Sequence, residues 1–223
     1  VDVGSATISL NEDGSFRLAI AAADMGTGCD TILAQMAAEC LEVSVDDIFV
    51  SGADTDSSPY DSGSYASSTT YITGQAVVKA SMELKSRIST LAAKMLECDV
   101  DDLDYDGRTV ADIKAGKSVT LQDIGFKAQC FNDYALQVTE SHTSPVSPPP
   151  YMVGMVEIEL DKLTGQVTIL DYMAVVDCGI PINPALARIQ TEGGIVQGIG
   201  HTLMENVTYD RSGKPIESSF MQY

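Results

Sequence analysis

Three stretches of this chain combine residue types that could hold an anionic ligand. The first is Asp24-Met25-Gly26-Thr27-Gly28, between an apolar run and a run with helical spacing. Glycines let a backbone approach a ligand, and the first N–H groups of a helix point outward with no intrahelical acceptor. Glycine before a helix also serves ordinary tight turns, and Asp30 could be an N-cap, so both roles stay open. The second is Asp61-Ser62-Gly63-Ser64-Tyr65-Ala66-Ser67-Ser68-Thr69-Thr70, again feeding a helix. Its hydroxyls are dense enough to donate several hydrogen bonds to phosphate or pterin groups, although a flexible surface loop would use the same residues. The third runs from Ile182-Asn183-Pro184-Ala185-Leu186 into Gln190-Thr191-Glu192-Gly193-Gly194 and on to Gly200. Four glycines in the eight positions from Gly193 oppose helix propensity and need a reason. Close packing on another helix is one, and Gln190 turned toward a ligand is another.

Catalytic chemistry is harder to find. His142 lies among prolines and His201 stands alone on the last helix, so neither supports a metal site or a Ser-His-Asp or Cys-His arrangement. Glu192 has no second carboxylate nearby and reads as a hydrogen-bonded residue at a helix start rather than a general base. The acidic run Glu97, Asp99, Asp101, Asp102, Asp104, Asp106 and Asp112 lacks the Gly and Glu spacing of a calcium loop and reads as a solvated surface. No catalytic residue and no metal ligand is assigned within the chain.

The elements that must position these stretches follow from periodicity. Ala6–Leu10 and Phe16–Ala21 alternate as two strands around the turn Asn11-Glu12-Asp13-Gly14. Ile32, Leu33, Met36, Ala37, Cys40 and Leu41 recur as one face of a helix. Ile48–Ser51 reads as a short strand, and a long apolar pattern from about Tyr71 to Leu96 as the longest helix, with Gly74 a close-packing position. Prolines 145, 148, 149 and 150 make 141–150 an extended connector. Beyond it, Val153–Leu160 and Gln166–Val176 read as a second hairpin, followed by a helix from Pro184 or Ala185 to Glu205. The expected class is α+β, two lobes of mixed or antiparallel sheet packed with helices: 1–140, the connector 141–150, and 151–223.

Composition narrows the partners. Thirteen basic against 32 acidic residues give a net charge of −19, which repels nucleic acid and leaves any bound anion to backbone N–H groups and hydroxyls. No apolar run reaches the roughly 18 residues of a membrane span, and Val1 onward is no signal peptide. Five scattered cysteines, Cys29, Cys40, Cys98, Cys130 and Cys178, form no CxxC pair; they read as small buried hydrophobes in a reducing cytoplasm. The chain starts without Met and stops at Ser218–Tyr223, in what reads as an opening strand, so a segment of a longer polypeptide is expected, its second lobe truncated.

Taken in order, the three stretches resemble the molybdopterin-binding large subunit of the xanthine dehydrogenase and aldehyde oxidase family of molybdenum hydroxylases. The resemblance rests on Asp24–Gly28 with Asp30-Thr31 and Gln35–Glu39; on Asp61–Ser64 to Thr70 before Gly74-Gln75-Ala76-Val77; and on Asn183-Pro184-Ala185 with Gln190–Gly194 and Gln197–Gly200. It implies that Gly26, Thr27 and Gly28, together with Ala66, Ser67, Ser68, Thr69 and Thr70, wrap a molybdenum-molybdopterin cofactor, with Gln190 reaching the pterin. Thr27 departs from the glutamine common in the family, which touches one side-chain contact and spares the backbone ones. The resemblance further implies hydroxylation of an N-heterocycle or an aldehyde, with the proton-abstracting glutamate in a Gly-Glu motif beyond Tyr223. Iron–sulfur and flavin components and the other part of the molybdenum site would belong to the rest of the enzyme, and the segment by itself would be inactive. The competing class is a non-catalytic module that binds a phosphate-bearing ligand or packs its glycine-rich helix on a partner.

Overall fold

A computed structural model describes residues 2–131 and 136–223. Two units emerge, Val1–Ser147 and Pro148–Tyr223, and each is described by itself. In the first, β1 (Val3–Leu10) buries Ala6, Ile8 and Leu10 at every second position, as a half-covered strand must. It pairs antiparallel with β2 (Phe16–Ile20) across the Asn11–Gly14 turn. A parallel partner needs a longer connection, and α1 (Cys29–Leu41) supplies it between β2 and β3 (Ile48–Gly52). The longest helix, α2 (Thr69–Leu96), lays Ile72, Ala76, Val77, Ala80, Leu84, Ile88 and Leu91 into the core. At Gly74 an added Cβ would meet the Met36 side chain of α1 at 2.8 Å, so close helix packing is the reason for that glycine.

Three short antiparallel strands follow, β4 (Leu103–Tyr105), β5 (Thr109–Asp112) and β6 (Lys117–Thr120), then α3 (Leu121–Phe131) and β7 (Gln137–Thr143). β7 pairs antiparallel with β1 and completes a mixed sheet in the order β3-β2-β1-β7. Of these, β4 and β5 lie in the acidic run that reads as a solvated surface, and β6 and α3 lie in a stretch to which the sequence pattern assigns no element. The acidic run is also more than a solvated surface. Asp106 accepts the N–H groups of Arg108 and Thr109 at 2.9 and 2.7 Å and closes the β4–β5 turn. Asp112 is buried and accepts from Lys114 and Ala115, while Asp102 pairs with Lys114 Nζ at 2.7 Å. Ser141, His142 and Thr143 belong to β7 and not to the proline connector, because their N–H and C=O groups have the start of β1 to pair with.

The second unit holds an antiparallel hairpin, β8 (Tyr151–Leu160) and β9 (Val167–Asp177), with an irregularity at Glu157/Ile158, and the helix α4 (Pro184–Leu203). The Asn183 side chain accepts the Leu186 N–H at 3.1 Å and Pro184 occupies the first turn, where a missing N–H costs nothing. None of residues 148–223 is buried. Ser218–Tyr223 is not an opening strand: the N–H groups of Gln222 and Tyr223 both return to Ser219 O, making a turn. Mixed and antiparallel sheets with packed helices make the fold α+β. All five cysteines are free thiols; only Cys29 is buried, and Cys130 and Cys178 are exposed, against the expectation of five buried hydrophobes. No described helix is long and apolar enough to cross a membrane.

Candidate functional site

β2 and β3 run parallel, side by side, and each is followed by a loop and a helix, so both loops leave the same end of the sheet. Ligands of open α/β sheets sit outside the carboxyl ends of such strands. One loop contains Gly26–Gly28 and precedes α1; the other contains Ala66–Thr70 and opens α2. They are joined directly, since Ser64 Oγ accepts the Ala23 N–H at 3.0 Å. The second loop is also sewn to β1, with Ser62 N–H donating to Val3 O at 3.1 Å.

The second loop has the more unusual backbone. Ala66 and Ser67 are consecutive residues with side chains, yet both lie in the left-handed region, at φ 52° and 56°. Such conformations cost on the order of 1–3 kcal/mol each and persist only where the surroundings enforce them. Ser68 then returns to right-handed angles, φ −98° and ψ −20°. A left-handed to right-handed succession turns neighbouring N–H groups toward one concave side, the geometry of an anion nest. Among the described residues, none supplies an acceptor for the N–H groups of Ala66, Ser67, Thr69 or Thr70. Ser67 and Thr70 are exposed and Thr69 half-buried. Ser68 is different: it is buried, and its N–H and hydroxyl both go to Tyr65 O, at 3.2 and 2.9 Å. Its part is to close the turn. The first turn of α2 carries no acidic residue, although acids are favoured there and this chain has 32 of them.

The first loop has already found its anion. Asp24 Oδ1 accepts the N–H groups of Gly26 and Gly28 at 2.9 and 3.1 Å, and Oδ2 that of Asp30 at 3.4 Å. The Gly26 N–H above all holds the Asp24 carboxyl below the usual aspartate range. Gly28, in a left-handed conformation, is the N-cap of α1, and Asp30 sits inside the first turn instead of capping it. Asp24, Cys29 and Asp30 bring ligand atoms within 4.8 Å of one another. Burial above all pushes the Cys29 thiol up to about 11, and burial with the Asp24 charge raises Asp30, so the thiol carries its proton at neutral pH.

Gln190 belongs to the second unit and is exposed on α4. Its neighbour Glu192 is not a helix-start residue; it sits mid-helix and pairs with Arg188 at 2.7 Å. A Cβ added at Gly193, Gly194 or Gly198 would meet nothing within 4 Å, so close packing within this unit does not explain the glycine run. His142, on β7, lies 3.1 Å from Lys79 Nζ, and His201 is exposed in the last turn of α4.

A protein-family model described as the molybdopterin cofactor-binding domain matches residues 2–223. The chain belongs to that family. This molybdopterin cofactor-binding domain is 34% identical, over 100% of its length, to 23% of a probable hypoxanthine oxidase of Escherichia coli. It is 30% identical over 98% of its length to 28% of the nicotine 6-hydroxylase large subunit of Paenarthrobacter nicotinovorans. Among solved structures it resembles quinoline 2-oxidoreductase from Pseudomonas putida with a TM-score of 0.85 and 28% identity, covering 100% of this chain and 29% of that one. The domain thus spans about a quarter of the relatives it matches. The residues fit the cofactor of the family name in one respect the structure itself shows: open N–H groups at Ala66, Ser67, Thr69 and Thr70 with hydroxyls beside them are what a phosphate or a pterin needs from an acidic chain. The loop-bracing carboxylates that sequence reasoning gave no role are Asp24 and Asp61; an Asp two residues before a Gly, present at both places, was the available signal.

Proposed function

We propose that this domain is the cofactor-holding part of a molybdenum hydroxylase of the xanthine dehydrogenase and aldehyde oxidase type, one that oxidises an N-heterocycle or an aldehyde. The observation that carries the reading is the strained Ala66–Ser67 pair with open N–H groups at the head of a 28-residue helix. Strain of this kind persists at sites where pre-set geometry matters more than local stability. When bound, the molybdenum-molybdopterin group supplies the two-electron redox centre that such hydroxylation requires. The chain's own residues bind and orient it. Ala66, Ser67, Thr69 and Thr70 offer N–H groups and hydroxyls to its anionic end, and the helix dipole of α2 adds a partial positive charge there. Gly26, Thr27 and Gly28, braced on Asp24, form the neighbouring wall without a Cβ at either glycine, and Ser68 keeps the turn closed. Gln190, exposed on α4, is the second unit's candidate for a pterin contact.

The relatives named above as a hypoxanthine oxidase, a nicotine hydroxylase and a quinoline oxidoreductase all act on N-heterocycles by their names, which favours that substrate class over aldehydes. The glutamate that would act as the general base is assigned to the polypeptide outside these 223 residues, as are the iron–sulfur and flavin partners. Five unpaired thiols suit a reducing, cytoplasmic setting. The test is metal analysis and dye-coupled oxidation with the full-length enzyme and its Thr69→Ala/Thr70→Ala variant. Expected are close to one molybdenum per wild-type chain and turnover of an N-heterocycle, with both reduced in the variant. A full-length wild-type enzyme that folds and carries no molybdenum would overturn the reading.

A further inference from the structure

Something must hold Ala66 and Ser67 in their costly conformation, and the structure offers one carboxylate placed to do so. Asp61 Oδ1 accepts the Gly63 N–H at 2.8 Å, bending the loop at its start. Asp61 Oδ2 accepts the hydroxyl proton of Thr73 at 2.8 Å, one turn into α2. Thr73 is 2% exposed, and it cannot move aside: a Cβ on Gly4 of β1 would meet its backbone and hydroxyl at 2.6 to 2.8 Å, so strand and helix are in direct contact there. A buried hydroxyl pinned this way needs an acceptor, and among the described residues Asp61 is the one that provides it. The turn that Asp61 bends also carries Ser62, which bonds Val3, and Ser64, which takes the Ala23 N–H. One side chain therefore ties together the start of the second loop, the body of α2 and, through Ser64, the loop that contains Gly26–Gly28.

We propose that Asp61 is the positioning residue of the cofactor site, clamping loop 61–68 onto Thr73 so that the Ala66–Ser67 N–H groups stay preformed for the anionic ligand. The inference rests on the function proposed above and adds to it a residue that touches no ligand. Without the clamp, residues 65–68 relax to ordinary angles and the nest opens. The domain then still folds, because the core of Phe16, Leu18, Leu84 and Ile88 does not depend on the loop, but it holds its cofactor less tightly.

The experiment uses the full-length enzyme with Asp61→Ala, Asp61→Asn, Thr73→Val and the double variant Asp61→Ala/Thr73→Val. Molybdenum content and the fluorescence of the oxidised pterin released on denaturation are measured after gel filtration, beside the thermal midpoint of each protein. Asp106→Ala, which removes a comparable aspartate-closed turn at β4–β5, serves as the control for plain destabilisation. Expected is about a tenfold loss of retained pterin for Asp61→Ala and for Thr73→Val, the scale of one lost buried hydrogen bond in a binding equilibrium. The double variant should lose no more than either single one, Asp61→Asn should retain an intermediate amount, and Asp106→Ala should retain its pterin at a similarly lowered midpoint. If Asp61→Ala and Asp61→Asn keep wild-type pterin, or if Asp106→Ala at a similarly lowered midpoint loses as much pterin as Asp61→Ala, the positioning role is overturned. Should Asp61→Ala fail to fold, Thr73→Val and Asp61→Asn decide by the same criterion. A wild-type enzyme without pterin sinks the functional reading itself, a different outcome from unchanged variants of a loaded enzyme.

Discussion

The two units of this domain differ in what their apolar residues touch. In the first, Ile8, Leu10, Phe16, Leu18, Leu33, Leu84 and Ile88 are almost fully removed from water and form one cluster spanning the sheet, α1 and α2. In the second, Met152, Val153, Met155, Val156, Leu160, Leu170, Met173 and Val175 stay at least half exposed on the two strands of one hairpin, and α4 buries no side chain. Burial of apolar surface is the main favourable term in folding, at about 25 cal/mol per Å². The first unit therefore carries its own stability, while the second has hydrogen-bonded shape without a core. Consecutive apolar residues along β8, where a half-covered strand would alternate, are the pattern of a strand made for cover on both faces.

The sharpest way to break that comparison is to cut the chain between Ser147 and Pro148. Residues 1–147 should unfold cooperatively in denaturant and disperse their amide resonances, whereas 148–223 should show neither a cooperative transition nor dispersed resonances. A cooperative second fragment would refute the contrast. Glycine substitutions give a smaller effect, of opposite sign in the two units. At Gly107, φ is +81° and a Cβ would collide with Glu42 O, so Gly107→Ala should lower stability by about 2 kcal/mol or more. Gly193→Ala, in open space within a helix, should leave the main transition alone and raise the helical circular-dichroism signal, by an intrinsic gain of about 0.5–1 kcal/mol for α4.

The helix starts give an effect of about the same small size. Asp24 braces the start of α1, which is packed in the core, so Asp24→Ala should cost about 1 kcal/mol in the denaturation midpoint. Asn183 caps α4, and Asn183→Ala should leave that midpoint unchanged because α4 is not part of the cooperative core. The Asp24 contribution also has a sign in pH. Its folded pKa is depressed, so the stabilisation is complete above the ordinary aspartate value of about 3.9 and is lost as pH falls through the lower folded value. The difference in midpoint between wild type and Asp24→Ala should accordingly shrink on acidification below pH of about 4, as a titration of both proteins would show.

Much of this architecture was legible from residue order. Period-two and period-3.6 patterns placed β1, β2, α1, α2, the second hairpin and α4, because each of these buries a stripe or carries strong end signals such as Asn183-Pro184. The dense Ser and Thr of 61–70 and the shortage of Lys and Arg pointed to an anion held by backbone and hydroxyls. By contrast, β4 to β6 escaped notice: strands of three and four residues offer too few positions for a period, and the aspartates of β4 and β5 imitate a solvated surface. β7 was hidden by the prolines that follow it, since its pairing partner, β1, lies more than a hundred residues earlier in the chain.

The remaining distinctions required the tertiary structure. Local sequence cannot tell an N–H group that is open from one already taken, and here that separates the Ala66–Thr70 loop from the Gly26–Gly28 loop, whose donors belong to Asp24. Nor can it announce that Ala66 and Ser67 are left-handed, because neither residue prefers that region; the angles follow from a loop tied at Asp61, Ser62 and Ser64 to partners 12, 59 and 41 positions away. Residue types set what each segment could become. Contacts between distant segments settled which donors face outward, because a hydrogen bond or a collision is a property of two places in the chain at once.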